Sequence, residues 1–382
     1  ATGRIGQPGT GPFSITGQPN AMGGREVGGL ANMLACHLEI ENHDHRAAVQ
    51  SFWASPTITE KPGLKAVDMF RAVEEGRIKA LWIVCTNPAV SMPEADRVAR
   101  AIAGCDFVVV SDMAARTDTT RLAHVLLPAT GWGEKDGTVT NSERRISRQR
   151  RSLPPAGQAR DDWRIIADVA ARMGWGKAFA WENPAQVFAE HAALSGVAGR
   201  LGSDFDISDH ANIKTADYDA MQPFLWPQSP CKTGGRFFGD GRFHTPSGKA
   251  RMVAVAPRVP MAPDPAHPFR LNTGRVRDHW HTMTRTGLSP RLSRHMAEPF
   301  LELHPQDAGR LGLRPATLAQ VESPLGLAVL RVLVTDRVAP GQPFAPMHWT
   351  AETAPTGRVD ALVPALTDPV SGQPALKSAQ VA

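Results

Sequence analysis

Apolar positions along the 382-residue chain fall into two regimes. In the first, helical spacings alternate with short continuous apolar runs. Residues 1–20 are rich in Gly and Pro and read as an irregular loop, and 24–36 as a short helix. Leu64, Val67, Phe70 and Val73 recur at i, i+3, a helical spacing, with Gly76 as its C-cap. KALWIVC (79–85) then reads as a buried strand broken by TNP. Pro93 opens a helix that Gly104 closes. DFVVVSD (106–112) and HVLLPA (124–129) are further strands, and a helix over 161–173 has Asp161 or Asp162 near its start. Apolar strands separated by a helix predict a βαβ unit and a parallel sheet.

The second regime begins after a stiff stretch holding Pro257, Pro260, Pro263, Pro265 and Pro268. Short strands FRLNTG (269–274), PFLEL (299–303), TLAQVES (317–323) and LAVLRVLVTD (327–336) alternate with turns, and PQDAGRLGL holds one short helix. This pattern predicts a small, mostly β barrel. Between the regimes, 174–256 mixes a short helix (184–193) with Gly-rich hairpins such as GGRFFGDGRF, as expected of an excursion from the first domain. The fold class is therefore α/β, a doubly wound, mostly parallel sheet domain over 1–256 followed by a small β-barrel domain over 257–382.

Composition narrows the function. Hydrophobic residues make up 42% and charged residues 21%, the balance of a soluble globular chain. No apolar run reaches the roughly 18 residues of a membrane span. The opening lacks Met and has neither the charged nor the apolar region of a signal peptide, so any targeting segment would lie upstream. Cys36, Cys85, Cys105 and Cys231 include no C-x-x-C pair, against a zinc site or an iron–sulfur cluster within this chain. Cys85 and Cys105 border apolar runs and are expected in the core. The net charge of +5 is partly local, in Arg144, Arg145, Arg148, Arg150 and Arg151. No aromatics interleave with them, which disfavours nucleic acid; a fixed polyanionic cofactor suits such charge better.

Candidate chemistry sits on loops after strands, where ligands of open parallel sheets bind. Asn87 follows the first strand, and Ser111 and Asp112 end the second. A carboxylate there can accept hydrogen bonds from a guanine edge or a ribose, and Asn can donate and accept. Plain turn chemistry explains the same residues. Neither a G-x-G-x-x-G motif after a strand nor a Walker loop is present. In GWGEKDGTVTNSERR, Lys135 can meet a pyrophosphate, or belong to a surface hairpin. TGRVRDHWHTMTRTG is the richest stretch: a turn after a strand, two arginines, and His279 and His281 flanking Trp280. A metal there has no third ligand nearby. His37, His43 and His45 read as a solvated loop.

Together these stretches resemble the catalytic subunits of prokaryotic nitrate reductases, of assimilatory type, in the molybdopterin oxidoreductase superfamily. The resemblance runs from GPFSITGQPNAMGGREVGGLANML through CTNPAVSMP, VVVSDMAARTDTTRLAHVLLPATGWGEKDGTVTNSERRISRQR and LNTGRVRDHWHTMTRTG to FAPMHW and TDPVSGQP. It implies a double-psi-like form for the β-barrel, a bis(molybdopterin guanine dinucleotide) molybdenum centre and a [4Fe–4S] cluster whose ligands lie in N-terminal domains, so that the chain looks truncated. It implies reduction of nitrate to nitrite in the cytoplasm, with ferredoxin, flavodoxin or an NADH-linked reductase subunit as donor.

Carried over by resemblance, Asn87, Ser111, Asp112, Lys135 and Asp162 are cofactor contacts, with Ser111 and Asp112 reading guanosine. So are Thr273, Gly274, Arg275, Val276, Arg277, Asp278, His279, Trp280, His281 and Thr282, and near the end His348, Trp349, Asp360 and Lys377. Asp360 stands where related enzymes tend to carry Asn. Gln18, Met22 and Arg25 are candidates for lining the anion funnel, with a structural ion pair the other reading of Arg25. Another enzyme of the superfamily, such as a formate dehydrogenase, and a non-catalytic truncated cofactor-binding module are the rival readings.

Overall fold

The structure is a computed structural model that describes residues 2–11, 18–254, 256 and 265–382. Most of the proline-rich stretch at 257–268 lies outside the described residues. The chain forms two compact units, one of residues 1–63 with 130–257 and the other of 64–129 with 258–382. Residues 64–129 thus cluster with the C-terminal stretch rather than with the remainder of 1–256.

Strands Ala80–Val84 (β1), Phe107–Asp112 (β2) and Val125–Pro128 (β3) form a parallel sheet in the order β1-β2-β3. Helices Ala66–Glu74 and Ala95–Ala103 pack Phe70, Val73, Val98 and Ile102 against Leu81, Ile83, Val108 and Val110. Gly76, at φ +71°, ends the first helix, as its spacing predicts. The helix expected from Pro93 begins at Ala95, and a separate short helix, Pro88–Ser91, precedes it. The strands are not buried on both faces. Period-2 alternation sends Trp82, Val84 and Phe107 to the face opposite these helices, where Trp82 is 38% and Phe107 47% exposed. Cys105 is in the core, but Cys85, just past β1, is exposed.

The other unit is built around antiparallel strands Gly137–Thr140 (β4), Arg145–Gln149 (β5) and Phe224–Leu225 (β6). Its core draws Phe188, Leu194, Phe205, Ile207, Tyr218 and Trp226 from the stretch expected to be an excursion. The helix expected over 184–193 extends over Pro184–Arg200, with Asn183 accepting from the Gln186 amide at its start. GGRFFGDGRF carries no strand; the nearby hairpin is Gln228–Ser229 (β7) with Lys232–Thr233 (β8). The early helix covers Ala21–Glu26 and stops before Gly28, whose φ is +78°. A Cβ there would lie 2.7 Å from the Ala35 nitrogen.

The C-terminal part of the second unit is a mixed six-stranded sheet. Phe269–Gly274 (β9), Phe300–Leu303 (β10), Leu318–Ser323 (β11), Gly326–Val334 (β12), Phe344–Pro346 (β13) and Ala379–Val381 (β14) lie in the order β11-β12-β10-β13-β9-β14. Reciprocal backbone hydrogen bonds between Glu322 and Ala382, 2.9 and 2.8 Å, link its two edges, giving a nearly closed barrel. Its core includes Leu271, Leu301, Leu330, Val332 and Leu362. The last two strands are too short for an alternation to be read from sequence.

Leu330 is fully buried, whereas Leu327 on the same strand is 52% exposed. Leu330→Ala is expected to destabilise by about 2–5 kcal/mol, and Leu327→Ala by less than about 0.5 kcal/mol. Paired denaturant titrations check the difference.

Candidate functional site

The second unit brings several of the singled-out loops together by hydrogen bonds. Asn87, 7% exposed, opens the helix after β1. Its Oδ1 accepts from the Thr119 hydroxyl at 2.6 Å and the Thr119 amide at 3.2 Å. Its Nδ2 donates to Thr282 Oγ1 at 3.2 Å. Every partner is protein, so Asn87 ties the loop after β1, the 117–120 turn and the stretch following β9. Sequence reasoning missed Thr119, for which the TDTT cluster was the available signal.

At the carboxyl end of β2, Ser111 is buried and its hydroxyl accepts from the Trp82 indole at 2.9 Å. Its carbonyl accepts from the Cys85 amide, which places the ends of β1 and β2 side by side. Asp112 is half-buried, with Oδ1 accepting from the Ala114 amide at 2.9 Å.

The stretch after β9 is shaped from within. Thr273 is buried and donates to the Leu376 carbonyl at 2.6 Å, which ties β9 to the segment carrying Lys377. Gly274 is required by close approach: a Cβ there would lie 2.7 Å from Phe344 Cε2 and 3.8 Å from Lys377 Nζ. The Arg275 guanidinium lies 4.7 Å from the centre of the Trp280 ring. Arg277 and His295 both engage Asp278, holding its carboxyl below the usual carboxylate range. His279 is buried, with Nδ1 3.3 Å from Thr286 Oγ1, a threonine that also receives the Trp280 amide.

His348, fully buried, fixes the turn. Its Nε2 accepts from the Val276 amide at 2.9 Å, so Nδ1 carries the proton and donates to the His281 carbonyl at 2.7 Å. That pattern needs a neutral ring. Burial lowers the His348 pKa, as do neighbouring His279 and Arg275, in agreement with it. Trp349, 3% exposed, meets the His279 ring edge-on at 5.8 Å. His281 is also held below its ordinary value, by burial and then by Arg275 and Arg285.

Asp360 is the most demanding residue of the group. It is 5% exposed, and its Oδ1 has no hydrogen-bond partner among the described residues. Burial pushes its pKa up to about 7, against the pull of Lys377.

In the first unit, Lys135 and Asp162 come together as an ion pair, 2.5 Å between Nζ and Oδ2. Met22 is half-buried against the core, while Gln18 and Arg25 are exposed. The arginine cluster is largely occupied by protein. Arg148 is enclosed by Asp136, Asp219 and the Tyr218 ring. Arg144 stacks on Trp226 and Phe237, Arg145 pairs with Glu143, and Arg151 pairs with Asp161. The expectation that this charge awaits a polyanion is thereby corrected: local carboxylates and aromatic rings already receive it. His37 lies against Phe205 and Trp226, while His43 and His45 belong to helix His43–Phe52, not to a solvated loop.

Residues 1–172 match the family model described as molybdopterin oxidoreductase, and residues 269–380 the molydopterin dinucleotide binding domain. The chain belongs to the molybdopterin oxidoreductases. It is 50% identical over its whole length to a nitrate reductase of Klebsiella oxytoca, covering 44% of that protein. It is 33% identical, over 98% of its length, to the assimilatory nitrate reductase catalytic subunit of Bacillus subtilis, covering 52% of it. Alpha subunits of F420-dependent formate dehydrogenases match at 31% and 32%. The chain thus spans about half the length of the curated relatives it matches. Its fold is similar to acetylene hydratase from Pelobacter acetylenicus, with a TM-score of 0.64 at 19% identity over 82% of this chain and 45% of that one. No helix among the described residues is long and apolar enough to cross a membrane. No group of His, Cys, Asp and Glu among them is placed to hold a metal ion.

A molybdopterin dinucleotide asks for cations and N–H donors at its pyrophosphate and for fixed polar groups at its heterocycles. The second unit meets these needs with exposed Arg275, Lys377 beside Gly274, and the buried carboxyl of Asp360 with its unused oxygen. The residues present fit the group.

Asp360 also makes a pH prediction. The folded state holds this proton up to about pH 7, while an unfolded carboxylate releases it near 4. Its contribution to stability is therefore full below about pH 4 and is lost as pH rises through about 7. Asp360→Asn is expected to flatten the fall in melting temperature between pH 5 and pH 8; an unchanged fall would contradict the assignment.

Proposed function

We propose that the chain is the cofactor-holding part of the catalytic subunit of a molybdenum-dependent nitrate reductase, of assimilatory and cytoplasmic type. The observation that carries this reading is the gap in similarity: 50% identity to a nitrate reductase along the whole chain, against 31% and 32% for formate dehydrogenases. When bound, a bis(molybdopterin guanine dinucleotide) molybdenum centre supplies two-electron oxygen-atom transfer chemistry, nitrate to nitrite.

The chain's own residues bind and orient. Ser111 and Asp112 take the guanosine end, where a half-buried carboxylate matches guanine N–H donors. Arg275 and Lys377 receive the pyrophosphate charge, and Asn87 keeps the 273–282 stretch in register through Thr282. His348, neutral and doubly hydrogen-bonded, holds the turn without adding charge. Asp360, protonated, can donate to a pterin ring atom as well as accept. In the first unit, the Lys135–Asp162 pair contributes a further cofactor contact. Gln18, Met22 and Arg25 line the path of nitrate, with the Arg25 guanidinium attracting the anion.

We assign 1–256 to the α/β part of the family and 257–382 to its dinucleotide-binding barrel. A [4Fe–4S] cluster held outside this chain, fed by ferredoxin, flavodoxin or an NADH-linked reductase subunit, completes the reading.

The test is nitrate-dependent oxidation of reduced viologen by the complete, cofactor-loaded protein. Nitrite production is expected, with no formate-dependent dye reduction. The reverse pattern would favour the formate dehydrogenase reading, and neither activity the non-catalytic one. The 382-residue chain alone is expected to show no turnover.

A further inference from the structure

The short helix Ala21–Glu26, which carries Met22 and Arg25, is gripped at both ends by one residue of the neighbouring hairpin. At its start, Asn20 adopts a left-handed conformation, φ 66°, and its Oδ1 accepts from the backbone amide of Thr140 at 2.9 Å. At its end, Glu26 Oε2 accepts from the hydroxyl of the same Thr140 at 2.7 Å. Glu26 Oε1 accepts from the Trp226 indole, also at 2.7 Å. An indole N–H only donates, so this oxygen must accept, and the side chain presents both oxygens as acceptors. Glu26 is 3% exposed.

A buried carboxyl this close to the surface is costly unless its partners are fixed, and here they are. Trp226 belongs to the unit's core, and Thr140 ends β4. The glycines complete the constraint. A Cβ on Gly23 would lie 2.0 Å from Asn20 Oδ1, and one on Gly29 2.5 Å from the Gly24 carbonyl. Successive residues of a helix point about 100° apart. With Glu26 locked inward, the preceding Arg25 is turned outward and exposed. The rotation of the helix about its axis, and so the exit direction of Arg25, is set by the carboxylate beside it.

We propose that Glu26, with Thr140 and Trp226, is a positioning clamp that aims Arg25 at the substrate anion, while Met22, four residues earlier on the inward face, packs against the core. The clamp touches neither substrate nor cofactor. The proposal rests on the reading of Arg25 as an anion-attracting residue. It adds that nitrate binding depends on one residue each of the helix, the hairpin and the core, all held behind Arg25.

The test uses the full-length, cofactor-loaded protein with nitrate as the probe. Glu26→Gln removes one acceptor, and Thr140→Val removes one hydroxyl while keeping shape. Each is expected to raise the nitrate KM by about tenfold while kcat changes less than about threefold, the pattern of lost substrate binding. Thr140→Ser, which keeps the hydroxyl, is expected to restore KM. Amide hydrogen exchange gives a readout independent of turnover. The Gly28 and Gly29 amides, which close the helix onto Arg25 and Gly24, should exchange faster in Glu26→Gln and Thr140→Val than in wild type. Arg25→Gln separates the two claims. If it raises KM but the folded clamp variants leave KM and exchange unchanged, the clamp is refuted and the anion reading stands. If Arg25→Gln leaves KM unchanged, both fall. Should Glu26→Gln fail to fold, Thr140→Val decides.

Discussion

The side-chain amide of Asn87 joins parts of the second unit that lie far apart in sequence. It accepts from Thr119 and donates to Thr282, 195 residues further on. The parallel sheet and the barrel each have their own apolar core, and polar links join them: besides Asn87, the Glu94 amide donates to the Val363 carbonyl and the Ala351 amide to Asp118. A buried amide can make such a link because it offers donors and an acceptor in one plane, and because leaving any of them unpaired would cost on the order of 1–3 kcal/mol. The link ties the stretch after β9 to the loop after β1 and to the turn at Thr119.

Charge is distributed around that link in a consistent way. The interior of the 273–282 turn is organised by His348, which bridges two backbone groups as a single neutral tautomer, while His279 is packed against Thr286 and Trp349. Cations stand at the rim, Arg275 over an indole and Lys377 by the glycine that permits close approach. A hydrogen-bonded interior with cations at the rim suits a long polyanion carrying heterocycles at its ends, because the rim charge draws the anion in. Burial raises the Asp360 pKa to about 7, so that carboxyl keeps its proton to a higher pH than an exposed one.

Much of this was legible in the sequence. The three parallel strands, helix 66–74 and four barrel strands follow from period and punctuation, and the loops after β1, β2 and β9 from the rule that ligands gather at strand ends. What escaped has physical reasons. The partners of Asn87 lie far away in sequence, so no local pattern announces them. The exposed face of β1 and β2 is apolar in composition and reads as buried, because periodicity cannot say whether a second layer covers it. The arginine run looked like a polyanion site, yet its partners Asp136, Asp161 and Asp219 are scattered along the chain. Glu26 falls in the short helix expected over 24–36, and no local pattern announces that Thr140 and Trp226 converge on it.

The central claim is that the loops held by Asn87 grip a guanylated pterin. It is tested most directly by measuring molybdenum and acid-released GMP in the purified full-length protein and in its Asn87→Ala variant. The account predicts that both co-purify with the wild type, and that both fall together in a variant that remains folded by circular dichroism. Wild-type protein without GMP, or a folded variant with undiminished content, would contradict it.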